Sequence, residues 1–207
     1  MNKTFHWGAV SSAVLSLCFI SYFFVDTQAA SWLHSQQKTS LIVFFSSITR
    51  FGQSEWYLVP GLMLFLLYRK SNYRRAQHGL FVFASVAVSG LSADLLKYLL
   101  GRARPTLYLG ERIYGFCSFN WEHDWTSFPS GHSATAFSAA SVLSILYPRF
   151  SSLFFILAIL IASSRIAITE HYISDVIAGS FLGIASTSVL YNYYFKRKFD
   201  TIGQSCI

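Results

Sequence analysis

Long apolar runs, each closed by a short polar or basic stretch, set the rhythm of this chain; residues 7–25 and 176–195 are the clearest of them. A helix satisfies its own backbone hydrogen bonds, so an uncharged run of this length can cross a bilayer without exposing polar groups to lipid. Read along its full length, the pattern predicts an all-α protein, an integral membrane bundle of six transmembrane helices. The expected spans are residues 7–25, 54–68, 79–100, 130–147, 150–169 and 173–195. Only 13 uncharged residues separate Glu55 from Arg69, so the second helix must draw Gln53 and Ser54 into the interface or be short. The apolar stretch 41–48 is too brief to span and is expected to lie along the surface or dip partly in. One connection, residues 101–128, is much longer than the others after residue 68, and long ordered loops tend to carry function. With no internal repeat or low-complexity segment, residues 1–207 read as a single membrane-embedded domain.

Composition agrees with this reading. Of the residues, 53% are hydrophobic and only 12% charged, a membrane composition. The net charge of +7 is scattered between apolar segments and forms no stripe or arm, which argues against nucleic acid as a partner. Cys18, Cys117 and Cys206 have no metal-ligand spacing and imply no disulfide framework. The first apolar run, although followed by Ala29 and Ala30, is too long for a signal core and has only Lys3 before it, so an uncleaved helix is expected. In a six-helix arrangement Lys3, Arg69, Lys70, Arg74, Arg75, Arg149, Lys196, Arg197 and Lys198 share one side, which should be cytoplasmic. The opposite side then holds Lys38, Arg50, Lys97, Arg102, Arg104, Arg112 and Arg165, against the charge rule unless several of them serve chemistry.

Three separate clusters fall at the expected outer ends of helices. Lys97 and Arg104 lie seven residues apart, with Gly101 and Pro105 marking a helix end between them. They can converge on an anion or snorkel to lipid headgroups. Pro129-Ser130-Gly131-His132 opens the fourth helix: serine is a good N-cap, and glycine lets an anion approach the free N–H groups of the first turn. A plain capped helix start is the alternative. His132 adds a proton donor for neutral pH. In the third cluster, Ser164-Arg165 precedes His171 and Asp175. A helix beginning by about His171 puts both on one face, so the carboxylate can orient the ring as a nucleophile. The other reading is an ion pair that anchors the helix end.

Together these segments resemble the type 2 phosphatidic acid phosphatase family, of the bacterial membrane lipid phosphatase kind. The signature is a lysine, six residues, Arg-Pro; then Pro-Ser-Gly-His; then Ser-Arg, five residues, histidine, three residues, aspartate. Every signature position is met here, over residues 97–175. The resemblance implies catalytic roles for His171 as nucleophile, His132 as acid and base, and Asp175 as the orienting carboxylate. Lys97, Arg104, Ser130, Gly131 and Arg165 would bind the phosphoryl oxygens. With three fixed cations neither cofactor nor metal is expected. The implied partner is a lipid phosphate in the bilayer: undecaprenyl diphosphate, phosphatidylglycerol phosphate or a lipid A phosphate. The implied location is a bacterial inner membrane, with the site on the periplasmic face. Lipid phosphotransfer by the same site is the alternative; a transporter or scaffold leaves the three clusters unexplained. Glu170 stands where such proteins often carry a small or apolar residue, and Arg102 and Arg112 either contact a second phosphate or anionic headgroup or take a solvated or lipid-facing position.

Overall fold

A computed structural model describes residues 7–36 and 40–204; Lys3, Lys38 and Cys206 lie outside them. Ten α-helices run through the described residues, with no β-strand among them beyond an isolated Arg102–Phe116 bridge. They are α1 (Trp7–Phe24), α2 (Asp26–Ser35), α3 (Ser40–Ile48), α4 (Glu55–Tyr68), α5 (Tyr73–Leu100), α6 (Pro105–Glu111), α7 (Gly131–Leu146), α8 (Ser151–Ala167), α9 (Ile173–Leu190) and α10 (Lys196–Gln204). A π-helical segment, Tyr191–Phe195, joins the last two.

Each of the six expected helices is present, with two shifts in extent. The third begins at Tyr73 instead of residue 79, because Asn72 caps it by accepting from the Arg75 N–H at 3.0 Å, so Arg74 and Arg75 belong to its first turn. The last continues beyond residue 195 through the π-helical segment. Among the described residues, four helical stretches are long and apolar enough to cross a membrane: Trp7–Phe24, Tyr73–Leu100, Pro148–Ala167 and Ile173–Thr201. Helices α4 and α7 have 14 and 16 residues, lengths of about 21 and 24 Å against a hydrocarbon core of about 30 Å. A count of six spans is therefore not carried by helix length. The 41–48 stretch forms the short helix α3, and the 101–128 connection contains α6.

The centre of the bundle is built from small residues, which lets helices approach without a large apolar core. Gly179 and Gly183 of α9 lie so close to α7 that a Cβ at either would collide with the carbonyl oxygen of Ser130 or Ala134. Ser138 and Thr187 share a hydrogen bond of 2.9 Å across the same seam, and Ser89 of α5 donates to the Ala134 carbonyl at 3.1 Å. Large apolar side chains point outward instead: Leu15, Leu67 and Leu91 are each about 70% exposed. That inside-out distribution suits lipid on the outer face. At one end Phe81, Val142 and Phe195 form a closed aromatic and aliphatic plug. The chemistry-bearing residues gather at the other end.

Candidate active site

Helix ends bring the three clusters together. Helix α5 stops at Gly101, which adopts φ 59° and donates to the Lys97 carbonyl at 2.8 Å. Any Cβ there would strike the Cys117 carbonyl, so glycine is required both by the left-handed turn and by the loop folded over it. This stop leaves Lys97 on the last turn of α5. Its ammonium pairs with Asp94 at 2.9 Å and lies 3.0 Å from where a Gly131 Cβ would be. A side chain at position 131 would therefore push the lysine away.

Helix α7 starts at Gly131, with Ser130 extended before it. The Ser130 side chain does not cap the helix as the sequence suggested; its hydroxyl accepts from Ser133 at 3.0 Å. The first-turn N–H groups thus have no side-chain cap, and the helix dipole there favours an anion. The Ser130 N–H donates to the Asp175 carbonyl at 3.0 Å, which fixes the start of α7 against the start of α9.

Helix α9 begins at Ile173, two residues later than the helical-face argument assumed. His171 sits in the preceding turn, outside the helix, and meets Asp175 because the chain folds back there. Its Nδ1 is 3.6 Å from Asp175 Oδ2, longer than a hydrogen bond. Asp175 is fully buried and closes a capping box, accepting from the Tyr172 N–H at 2.9 Å. It also accepts from the Ser127 hydroxyl at 2.6 Å and from Arg102 in a very short contact. His171 is itself buried, and burial holds its ring well below the ordinary histidine pKa, with Asp175 opposing that shift. The ring is therefore neutral, with Nδ1 towards the carboxylate and Nε2 left for chemistry.

Arg104 and Arg165 converge on Glu170. Arg104 Nη1 is 2.8 Å from Glu170 Oε2 and Arg165 Nη2 is 3.5 Å from it; Arg165 Nη1 also donates to Thr49 at 2.8 Å. Arg165, His171, Lys97 and Arg104 all lie within electrostatic range of the His132 ring. The structure thus gathers Lys97, Arg104, Ser130, Gly131, His132, Arg165, His171 and Asp175 at one end of the bundle. It adds a carboxylate, Glu170, between two of the cations.

Arg102 takes neither position that the sequence left open. Its side chain is 1% exposed, bonded to Asp175, to Ser174 at 2.6 Å and to Asp26 at 2.8 Å. The rings of Tyr172 and Tyr22 lie 4.5 and 5.0 Å from its guanidinium carbon. Asp26, at the start of α2, is equally buried and also accepts from the Ser21 hydroxyl and the Ser174 N–H. Neither Asp26 nor Ser127 belongs to the three sequence clusters, yet both join this buried network. Asp26 left a signal, a lone acid directly after an apolar run, since a carboxylate at that place needs a cationic partner.

A model of the PAP2 superfamily matches residues 78–199, a stretch that contains all eight gathered residues. The chain is 35% identical over 162 residues to a lipid A 1-phosphatase of Rhizobium johnstonii, covering 72% of this chain and 66% of that protein. It is 35% identical over 149 residues to a lipid A 1-phosphatase of Rhizobium etli, covering 66% and 64%. The matches span just under two thirds of the length of these two relatives. Two solved structures share the fold. The crystal structure of Aquifex aeolicus LpxE superposes with a TM-score of 0.62 at 23% identity, covering 84% of this chain and 99% of that one. The transmembrane PAP2 type phosphatidylglycerolphosphate phosphatase from Bacillus subtilis gives 0.67 at 21% identity, covering 91% and 96%.

Proposed function

This chain belongs to the PAP2 superfamily, and on that premise we propose that it is a membrane lipid phosphatase that cleaves a phosphate monoester through a phosphohistidine. The observation that carries the reading is the meeting of a buried His171 with Asp175 behind it and with Arg104 and Arg165 within electrostatic range of its ring.

In the proposed first step His171 Nε2 forms a bond to phosphorus as the ester P–O bond breaks, and His132 gives its proton to the departing oxygen. In the second, His132 takes a proton from water, whose oxygen attacks phosphorus and releases His171 and inorganic phosphate. Asp175, held by Arg102, Ser127 and the Tyr172 N–H, keeps the His171 ring in one orientation. Lys97, Arg104, Arg165, Ser130 and the Gly131 N–H face the three equatorial oxygens, where charge gathers in a phosphoryl transfer. These cations supply the neutralisation that a metal gives elsewhere, so turnover is expected to survive chelation and to be inhibited by vanadate.

The 35% identity to lipid A 1-phosphatases favours a sugar-linked lipid phosphate over phosphatidylglycerol phosphate or undecaprenyl diphosphate. Six spans remain our reading, with α4 and α7 crossing beside the four longer stretches. Both ends of the chain and residues 69–75 would then be cytoplasmic, and the site would face the periplasm of a bacterial inner membrane. The test is phosphate release by purified protein in detergent with excess EDTA. Release from a lipid A 1-phosphate supports the proposal, whereas activity lost in EDTA and restored by one divalent ion contradicts the metal-free mechanism. Passage of the phosphate to a second lipid in place of water would point to phosphotransfer.

A further inference from the structure

A cavity of about 320 Å³ opens beside His132, walled by Gly52, Gln53, Ser54, Glu55, Asp94 and Lys97. His171 does not line it. The proposed function places the nucleophile and the leaving oxygen on opposite sides of phosphorus, with His132 protonating the leaving oxygen. The cavity on the His132 side is then where the leaving group sits. Position 52 allows that closeness: a Gly52 Cβ would lie 2.8 Å from both His132 Cδ2 and Ile161 Cγ2, so a larger residue would press on the acid.

The wall chemistry is unlike that of a lipid-tail groove. The side chains of Gln53, Ser54 and Glu55 make no hydrogen bond among the described residues, and Ser54 does not cap α4 although it precedes it. Among the described residues, Asp94 is engaged only by Lys97. An amide, a hydroxyl and two carboxylates thus present spare acceptors and donors to one space, a set suited to hydroxyl groups. The charge is equally selective. Lys97 is drawn towards Asp94 and Gly131, so Glu55 has no cation of its own on this wall. A leaving group that is itself a phosphate would place its charge near that carboxylate, and the one cation on the wall, Lys97, is already paired with Asp94.

We propose that this cavity is a leaving-group subsite for a neutral, hydroxyl-bearing head group of saccharide type, and that Glu55 disfavours leaving groups that carry phosphate. The inference rests on the phosphatase reading and sharpens it: a sugar-linked phosphate monoester fits, and a lipid diphosphate does not. An apolar cavity of about 350 Å³ lined by Ile48, Phe51, Tyr57, Leu157, Leu160 and Ile161 shares Ile161 with that contact. It gives the hydrocarbon part of the same substrate a place beside its head group.

The experiment compares kcat/KM on three lipids in mixed micelles: a disaccharide lipid 1-phosphate, phosphatidic acid and undecaprenyl diphosphate. Wild-type protein, Glu55→Gln and Gln53→Leu are assayed in parallel. Wild type should prefer the sugar phosphate. Glu55→Gln should raise the ratio of diphosphate to sugar-phosphate turnover about tenfold, the scale of one partly screened charge. Gln53→Leu should lower turnover of the sugar phosphate relative to phosphatidic acid by about tenfold, as expected for a lost hydroxyl contact. Both substituted residues are exposed, so neither change threatens folding. Ratios that stay within about twofold of wild type in both variants, or a wild-type preference for the diphosphate, overturn the subsite while leaving the phosphatase reading intact. Release from none of the three lipids contradicts the phosphatase reading, and the subsite falls with it.

Discussion

Arg102 and Asp26 form an ion pair of 2.8 Å across 76 residues of sequence, both side chains shut away from solvent. The same guanidinium holds Asp175, so the junction between α1 and α2 is tied to the carboxylate behind His171. Removing one member of a buried pair leaves an unmatched charge, which costs about 3–5 kcal/mol. Asp26→Ala should therefore lower the thermal midpoint in detergent and reduce kcat more than it raises KM. An unchanged midpoint and unchanged kcat would show that the pair neither supports the fold nor positions Asp175.

Close helix approach gives a second expectation. A methyl group at Gly183 has no room beside the Ala134 carbonyl, while Gly90 has open space around it. Gly183→Ala should destabilise by about 1–3 kcal/mol through overpacking. Gly90→Ala should be neutral or stabilising, because alanine favours a helix by up to about 1 kcal/mol. Thermal unfolding of the two variants side by side decides the matter; equal effects would mean that the α7/α9 seam is not tight.

The His171 ring should stay neutral well into acid. Its folded pKa lies below the ordinary 6.5 because the ring is buried. As pH falls below 6.5, the unfolded chain binds a proton on this side chain that the folded chain refuses, so stability should fall with pH in that window. Ring nitrogen NMR, assigned by the signal missing from His171→Gln, should show a neutral imidazole from pH 8 to 5. A midpoint at or above 6.5 contradicts the buried placement.

Glu170 occupies two cations that the proposed mechanism assigns to phosphate. Glu170→Gln removes a competing charge from Arg104 and Arg165. The inhibition constant for orthophosphate or vanadate should then drop by about tenfold, one charge at partly screened range. Weaker inhibition in this variant would show instead that the carboxylate is needed to hold the arginines in place.

What the sequence made legible follows from how local each signal is. Gly101 and Pro105 mark the end of α5, and Pro129 to His132 mark the start of α7, because caps and breakers act within a few residues. The Lys97–Asp94 pair is equally local, its members one helical turn apart. The spacing of His171 and Asp175 shows that they meet but not how: the contact comes from a turn before α9, not from one face of a continuous helix. The buried set of Asp26, Arg102, Ser127 and Ser174 was out of reach, since its members meet through tertiary folding over as many as 148 residues. Ser130 shows the same limit on a small scale, its hydroxyl bonded to Ser133 where a helix cap was expected.

The central claim, that His171 carries the phosphoryl group, is tested most directly by trapping the intermediate. Protein quenched during turnover of a lipid bearing labelled phosphate should carry an acid-labile, alkali-stable label. In His132→Ala the label should form and decay more slowly, because the leaving oxygen lacks its acid and water its base, with turnover down by about 10²–10⁴-fold. It should be absent in His171→Ala, with kcat down by at least about 10³-fold. Label at another residue, or a His171→Ala protein that turns over near the wild-type rate, would contradict the account.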